Sequence, residues 1–302
     1  MSALVSVIVV TYNRKDEVTR CLESIFKSNY DNFEIIVVDN GSTDGTADFL
    51  EQKYGSDINL IKSTENLMAG GGRNLGAEQA KGEYLLFVDS DNVIDTRMIS
   101  ELLGGMVKNA DAGMVGPLMY FLSDPKTIFW AWADINLWTS KTSAKGFGEL
   151  DEGQYNEEAK VGHIPNVFMV SAKIWGEVGG IDPEYVMHYE ESDLAEKIKR
   201  AGKYIYRIPT AKTYHDVPLF KGKAVKGSDI LRSYGLHDAS RAYLVAKNRI
   251  LFMKKNASFL QQIVFFLIFL PFFSVYYTFF ILKSGEFTIV KSYLKGMIGG
   301  LL

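Results

Sequence analysis

Asp89-Ser90-Asp91 sets two carboxylates two residues apart, directly after the apolar run Tyr84–Val88. Residues two apart share a face of a strand, and at a strand end or in the turn after it both carboxylates can converge on one divalent cation. Hard oxygen ligands suit Mg2+ or Mn2+, and such an ion can bridge two phosphates. An isolated D-x-D is ordinarily a solvated acidic turn; the fully apolar strand before it favours the metal reading. Asp39 closes a second apolar run, Glu34–Val38. A carboxylate there can accept hydrogen bonds from a base or a ribose, or can cap a helix with Ser42 and Thr43. The stretch HYEESD, residues 188–193, packs three carboxylates at the start of a helical pattern. Acids favour a helix N-terminus in any case, and an acid beside a like-charged neighbour can also act as a general base with a raised pKa. His215, after a short strand pattern, suits either a metal ligand or an ordinary polar position. Gly70-Gly71-Gly72-Arg73 lets backbone approach a phosphate, with Arg73 adding charge. It matches neither G-x-x-x-x-G-K-[ST] nor G-x-G-x-x-G, whose spacing fails at Leu75, so a dinucleotide site is disfavoured.

These residues need a scaffold that brings them together, and the first half of the chain alternates strand and helix signals. Ser6–Val10, Glu34–Val38, Ile58–Ile61, Tyr84–Val88 and Ala112–Val115 read as strands. Asp16–Lys27, a segment from about Thr46, Met98–Val107 and a glycine-rich turn running into a helix over Ala69–Ala80 lie between them. Uncharged strands alternating with helices predict a parallel α/β sheet. Ligands of such sheets sit beyond the carboxyl ends of the strands, and Thr11, Asp39, Asp89 and Asp91 all follow strands on that edge. Tyr120–Lys160 is less regular and reads as a lid or an acceptor-side insertion. Asn166–Ser171, Tyr204–Ile208 and Lys212–Tyr214 return to strand character around an amphipathic helix at Glu190–Ala201.

The chain has 302 residues, a net charge of −3 and a single cysteine, Cys21. The charge disfavours a duplex nucleic-acid partner, and one cysteine excludes an internal disulfide. The apolar run Ala3–Val10 is short, β-branched and not preceded by basic residues, so it reads as a strand and not as a secretory signal. Leu236–Lys255 is a basic helical pattern. It leads into Phe259–Leu282, an uncharged aromatic stretch long enough to cross a ~30 Å hydrocarbon layer, with Pro271 as an expected kink. The basic flank predicts a cytoplasmic catalytic side, and the mildly apolar Ile289–Leu302 leaves room for a second, shallow or re-entrant segment. Two domains follow: a catalytic one over 1–235 and a membrane-associated one over 236–302.

The order of these features resembles glycosyltransferase family 2, of the GT-A fold, in its rhamnosyltransferase-like, non-processive branch. The likeness rests on SVIVVTYNR (6–14), EIIVVDNGSTDGT (34–46), ENLMAGGGRNLG (65–76), GEYLLFVDSD (82–91), NVFMVSAKIWGEVGGID (166–182), HYEESDLAEKIKRAG (188–202) and IPTAKTYH (208–215). The resemblance implies a Rossmann-like, mixed but mostly parallel sheet flanked by helices. It implies an inverting, metal-dependent transfer of one sugar from a UDP-, GDP- or dTDP-linked donor. Thr11 and Asp39 would hold the nucleoside, Arg73 would lie near the diphosphate, and Asp89 and Asp91 would anchor the Mn2+ or Mg2+ with His215. Tyr12, Asn13, Arg14, Asn66, Gly72, Ser90, Trp130 and Asp193 are further candidate substrate contacts. The family's paired acids appear as Glu190-Glu191, with Glu191 as the expected base and Glu190 as the alternative. The Gln-x-x-Arg-Trp signature of processive synthases is missing, so one sugar or a few would be added. A membrane tether implies a lipid-linked glycan as acceptor. Two rivals remain: a sugar nucleotidyltransferase, which needs a glycine-rich basic loop where Thr11-Tyr12-Asn13-Arg14 stands, and a catalytically silent scaffold that binds a nucleotide sugar.

Overall fold

The computed structural model describes residues 2–219, 236–283 and 285–302. The expected domain boundary at 235 lies outside the described residues. The chain divides into two compact units: Met1–Asp134, Ser143–Pro183 and Leu194–Leu219 form the first, and Ile135–Thr142, Glu184–Asp193 and Phe220–Leu302 the second.

The first unit is built on a mixed sheet. β1 (Val5–Thr11), β2 (Phe33–Asp39), β3 (Asn59–Lys62) and β4 (Tyr84–Asp89) run parallel in the order β3-β2-β1-β4. β5 (Asn92–Ile94) follows at once. β6 (Ala112–Phe121) pairs in parallel with β12 (Tyr204–His215), and β11 (Val167–Ser171) joins the two parallel groups by lying antiparallel to both β4 and β6. The sheet is therefore mixed and mostly parallel, as expected, with the strands of the first half parallel. The segment over 120–160 is also more regular than its sequence suggests. It forms β7 (Asp124–Trp130), antiparallel to β6, then the paired β8 (Trp132–Ile135) and β9 (Thr142–Lys145), and β10 (Ala159–Lys160) on the edge of β12. Polar and aromatic residues alternate there too loosely to show a period of two. Tyr204–Ile208 and Lys212–Tyr214, expected as separate strands, are one strand whose register shifts between Ile208 and Lys212.

Both faces of the sheet are buried, which is why its strands are uncharged. Val7, Val9, Ile35, Val37 and Leu86 pack on one side with α1 (Lys15–Ile25) and α4 (Met98–Lys108), whose Val18, Leu22, Ile25, Met98 and Leu102 recur at helical spacing. Ile8, Ile36, Leu85 and Phe87 face the other way, with Ile174 of α5 (Ala172–Val178) and with Leu194 and Ile198 of α6 (Glu190–Arg200). Alternate side chains of each strand thus feed two cores. α2 (Thr46–Tyr54) follows β2.

α3 (Met68–Glu78) starts earlier than expected, so Gly70-Gly71-Gly72 lie inside the helix and not in a turn before it. Close packing explains them. A Cβ on Gly72 would stand 2.6 Å from Val10 Cγ1, and one on Gly76 2.5 Å from Ile8 Cγ2. Only hydrogen at these positions lets α3 lie directly on β1.

The second unit holds α7 (Ala239–Asn256), the 25-residue apolar helix α8 (Phe259–Lys283) and α9 (Phe287–Leu301). α8 has a mean hydropathy of 2.2 in its most apolar window and, among the described residues, is the one helix long and apolar enough to cross a membrane. A π-helical turn at Phe265–Phe269 precedes Pro271. The wider turn accommodates a ring that would otherwise clash with the preceding carbonyls. α9 packs against α7 through glycine: a Cβ on Gly296 would meet Tyr243 O at 2.2 Å and one on Gly300 would meet Lys247 O at 2.7 Å.

Candidate functional site

The register of the parallel strands sets Thr11 beside Asp39 and Val10 beside Asp89. The carboxyl edge of β1, β2 and β4 therefore carries Thr11, Asp39 and the acidic turn together. Asn13, in the left-handed region at φ 52°, fastens the loop after β1 to the loop after β2. Its N–H donates to Ser42 Oγ (2.9 Å) and its Oδ1 accepts from the Thr43 N–H (2.7 Å). Asparagine is among the residues that adopt this conformation at low cost. Asp39 Oδ1 accepts from the Ser42 N–H at 2.9 Å, so one oxygen organises the turn. Its other oxygen, Oδ2, together with Thr11 Oγ1 and Asn40 Oδ1, is buried without a partner in the protein. Asn40 Nδ2 meanwhile donates to Met68 O (2.9 Å), which joins this edge to the start of α3. Tyr12 is exposed next to it.

The two acids of the turn go to different partners. Asp89 Oδ1 accepts from Arg73 Nη2 at 2.6 Å. Arg73 is only 2% exposed and lies over the Phe168 ring. Its guanidinium meets Asp89 from within the fold. Asp91 is gripped by Arg14 through Oδ2, and its Oδ1 lies 3.3 Å from His215 Nε2. β5 makes this second contact: it pairs antiparallel with the end of β12, placing Asn92 opposite His215 and so Asp91 one residue away. Burial alone would raise the Asp91 carboxyl, but the hydrogen bond and charge of His215, with Arg14, outweigh it and hold the pKa at about 2. Phe129 stands edge-on to the His215 ring at 4.5 Å, and Trp130 stacks on Phe129. Ser90 is buried between the two acids. Asn66 is used locally, its Oδ1 accepting from the Met68 N–H at 2.8 Å. Burial and the nearby Asp91 and Asp89 charges push the Cys21 thiol far up, so it is inert behind the turn.

Among the described residues no group of three or more His, Cys, Asp or Glu side chains could hold a metal by itself. Asp91 and His215 alone converge. That donor set fits Mg2+ or Mn2+, which bind through one or two protein groups and complete their shell with substrate phosphates and water. An Asp91 carboxylate ionised across the whole physiological range suits such an ion.

The paired acids belong to the second unit, at the first turn of α6. Glu190 is buried and Glu191 partly so. The two residues before them, His188 (φ 67°) and Tyr189 (φ 70°), are both left-handed, at about 1–2 kcal/mol each for a residue with a Cβ. α7 holds this strained entry in place. Asn248 Nδ2 donates to Met187 O (2.7 Å) and His188 O (3.1 Å), and Arg249 Nε donates to Tyr189 Oη (3.3 Å). Asp193, expected as a substrate contact, is 1% exposed and accepts from Asn256 Nδ2 at 2.8 Å, which makes it an anchor for α7. Asn248 and Arg249 were not singled out from sequence; a polar pair inside the buried stretch Val245–Met253 was the available signal.

A model of the family described as glycosyl transferase family 2 matches residues 6–168. The glycosyltransferase GlyG of Streptococcus pneumoniae is 39% identical over 117 residues, 38% of this chain and 38% of that protein. An Escherichia coli protein named UDP-Glc:alpha-D-GlcNAc-diphosphoundecaprenol beta-1,3-glucosyltransferase WfaP is 41% identical over 97 residues, 32% of this chain and 39% of its own length. This chain thus covers well under two thirds of these relatives. Among solved structures, GalNAc-T7 with UDP, GalNAc and Mn2+ superimposes with a TM-score of 0.61 at 15% identity, covering 82% of this chain and 51% of that one. The mannosyltransferase PcManGT from Pyrobaculum calidifontis, with GDP-Man and Mn2+, gives 0.58 at 16% identity, covering 98% and 86%. The structural matches show a GT-A-like mixed α/β fold. With the family model spanning more than half of the 302 residues, the chain belongs to glycosyl transferase family 2.

Proposed function

We propose that this chain is a glycosyltransferase that moves one sugar from a nucleoside-diphosphate donor to an acceptor hydroxyl, with inversion at the anomeric carbon. The observation that carries the reading is the row of buried oxygens at the carboxyl edge, Thr11 Oγ1, Asp39 Oδ2 and Asn40 Oδ1, beside the Asp91–His215 pair. Buried oxygens without protein partners suit a ligand that brings its own N–H and O–H groups, as a base and a ribose do. The nucleoside then lies between Thr11, Asp39 and Asn40. Asp91 and His215 would hold the divalent cation, Mn2+ or Mg2+. Such an ion, when bound, offsets the negative charge that develops on the leaving diphosphate. Asp89 accepts from Arg73 and keeps the loop of the turn in shape. Glu191, with Glu190 as the alternative, takes the proton from the acceptor hydroxyl as its oxygen attacks the anomeric carbon from the face opposite the leaving group. A single displacement of this kind inverts the configuration and needs no covalent nucleophile.

The acceptor class we propose is a lipid-linked glycan, reached from a membrane surface at high effective concentration. The exposed apolar surface of the second unit supports this, as does the diphosphoundecaprenol-linked substrate in the name of one relative. The basic residues of α7 favour the cytoplasmic face, whose anionic lipids attract them.

Thermal melting against UDP-, GDP- and dTDP-sugars, each with Mn2+ or Mg2+, tests the donor reading. One nucleotide class should raise the melting temperature in a metal-dependent way, and no shift with any of them overturns it. Glu191→Gln should keep that shift and lose transfer. A dead Glu190→Gln beside an active Glu191→Gln reassigns the base.

A further inference from the structure

α8 is about 37 Å long at 1.5 Å per residue, enough to cross a ~30 Å hydrocarbon layer. Its packing within the second unit argues against that course. α8 folds back along α7 through its length. Phe265 and Leu270 pack with Ile250–Met253, Phe273 and Tyr277 flank Arg249, and Tyr277 and Ile281 pack with Ala242 and Val245. The two helices are therefore antiparallel neighbours, so α8 cannot stand along the membrane normal without α7 standing beside it.

α7 cannot lie in hydrocarbon. It carries Arg241, Lys247, Arg249, Lys254 and Lys255, and its second half is tied to the polar segment Glu184–Asp193. Asn248 holds Met187 and His188, Lys255 Nζ lies 2.8 Å from Glu184 Oε2, and Asn256 binds Asp193. A transbilayer α8 would draw this carboxylate-rich segment into the membrane beside it and strip its charges of water, which their mutual pairing does not offset. The far side of α8 is the opposite in character. Leu260, Leu267, Phe272, Val275, Phe279 and Leu282 are exposed along one face, from the first turn to the last. At the far end Lys283 is exposed, and Lys291 and Lys295 are exposed on α9.

We infer that α8 lies in the plane of the membrane, with this apolar face sunk into one leaflet and α7 above it in the headgroup and water layers. The occupant of the face is a lipid monolayer with anionic headgroups. Lysines stand at the two ends of this apolar face, Lys255 before it and Lys283 after it, where anionic headgroups attract them. Residues on both sides of α8 then remain on the same side of the bilayer.

Single cysteines test this in a Cys21→Ala background. Lys141→Cys and Glu286→Cys, both exposed and on either side of α8 in sequence, are labelled with an impermeant maleimide in sealed membrane vesicles. Equal labelling from one face is expected; labelling of the two from opposite faces overturns the inference. Nitroxides at Phe259→Cys, Phe272→Cys and Leu282→Cys then report depth in vesicles containing one quarter phosphatidylglycerol. An in-plane helix gives three similar, shallow depths. A mid-bilayer depth at Phe272 alone, or no binding to these vesicles, also overturns it. Each variant is first required to keep the wild-type melting temperature within about 3 °C, the shift that about 1 kcal/mol produces in a domain of this size.

Discussion

Lowering the pH from 7.5 to 5 should destabilise this protein through two histidines. Burial pulls the pKa of His188 down to about 4, and burial with the Lys199 charge pulls that of His163 down to about 3, from an ordinary 6.5. In both cases the folded pKa lies below the unfolded one, so the unfolded chain binds more protons between them. Stability is complete above pH 6.5 and is lost as the pH falls toward the folded values. Linkage at pH 5 gives a loss of about 2 kcal/mol for each histidine, hence about 4 kcal/mol together. That is a large part of a typical 5–15 kcal/mol total. At 2–4 °C per kcal/mol it lowers the melting temperature by about 10 °C. Asp91 adds nothing in this window, because its folded pKa of about 2 confines its effect to below the ordinary 3.8. The assay is a melting curve in detergent at half-unit pH steps, for wild type and His188→Asn. Asparagine tolerates the left-handed φ of 67° at this position and cannot take up the proton. The variant should lose about half of the pH dependence while keeping the part due to His163. A wild-type melting temperature that is flat between pH 7.5 and 5, or a variant with the full slope, refutes the reasoning.

Gly76→Ala should cost about 1–3 kcal/mol by overpacking, since its Cβ would sit 2.5 Å from Ile8 Cγ2, and chemical denaturation measures this directly. Asn248→Leu removes both donors from the strained loop before Glu190. Its expected signature is a fall in kcat of at least tenfold with donor affinity unchanged, and equal losses in both would contradict a positioning role. Asp91→Asn should abolish the metal dependence of donor-induced stabilisation and cut transfer more than a hundredfold, read by melting curves with and without Mn2+ and by product formation.

The donor half of the candidate site was legible because it lies at strand ends. An apolar run followed by Asp39 or by Asp89-Ser90-Asp91 carries both its strand and its edge in a few adjacent residues, and parallel register does the rest. The pairing inside that site was not legible. Arg14 meets Asp91 across 77 residues of sequence, and His215 reaches the same carboxylate only because three residues of β5 pair with β12. Nothing local encodes that choice. The glycines of α3 were misplaced for a related reason: local propensity makes three glycines a turn, whereas the close approach of Val10 and Ile8 makes them a helix face. The strands over 120–160 escaped because β7 is held by its pairing with β6 and not by a clean alternation of its own.

Under the proposed function, the residues given roles fall in both compact units. The residues proposed for nucleoside and metal, Thr11, Asp39, Asn40, Asp91 and His215, belong to the first unit, and Glu190 and Glu191 to the second. The second unit also carries the apolar helix, and its α7 supplies both the clamp on His188 and Tyr189 and the packing surface for α8. Under the proposed function, donor binding is a property of the sheet edge, while proton abstraction is a property of the part that meets lipid. On that reading, changes that disturb α7 act on the transfer step through about 2–4 kcal/mol of strain at the two left-handed residues, and leave the groups proposed for the nucleotide untouched.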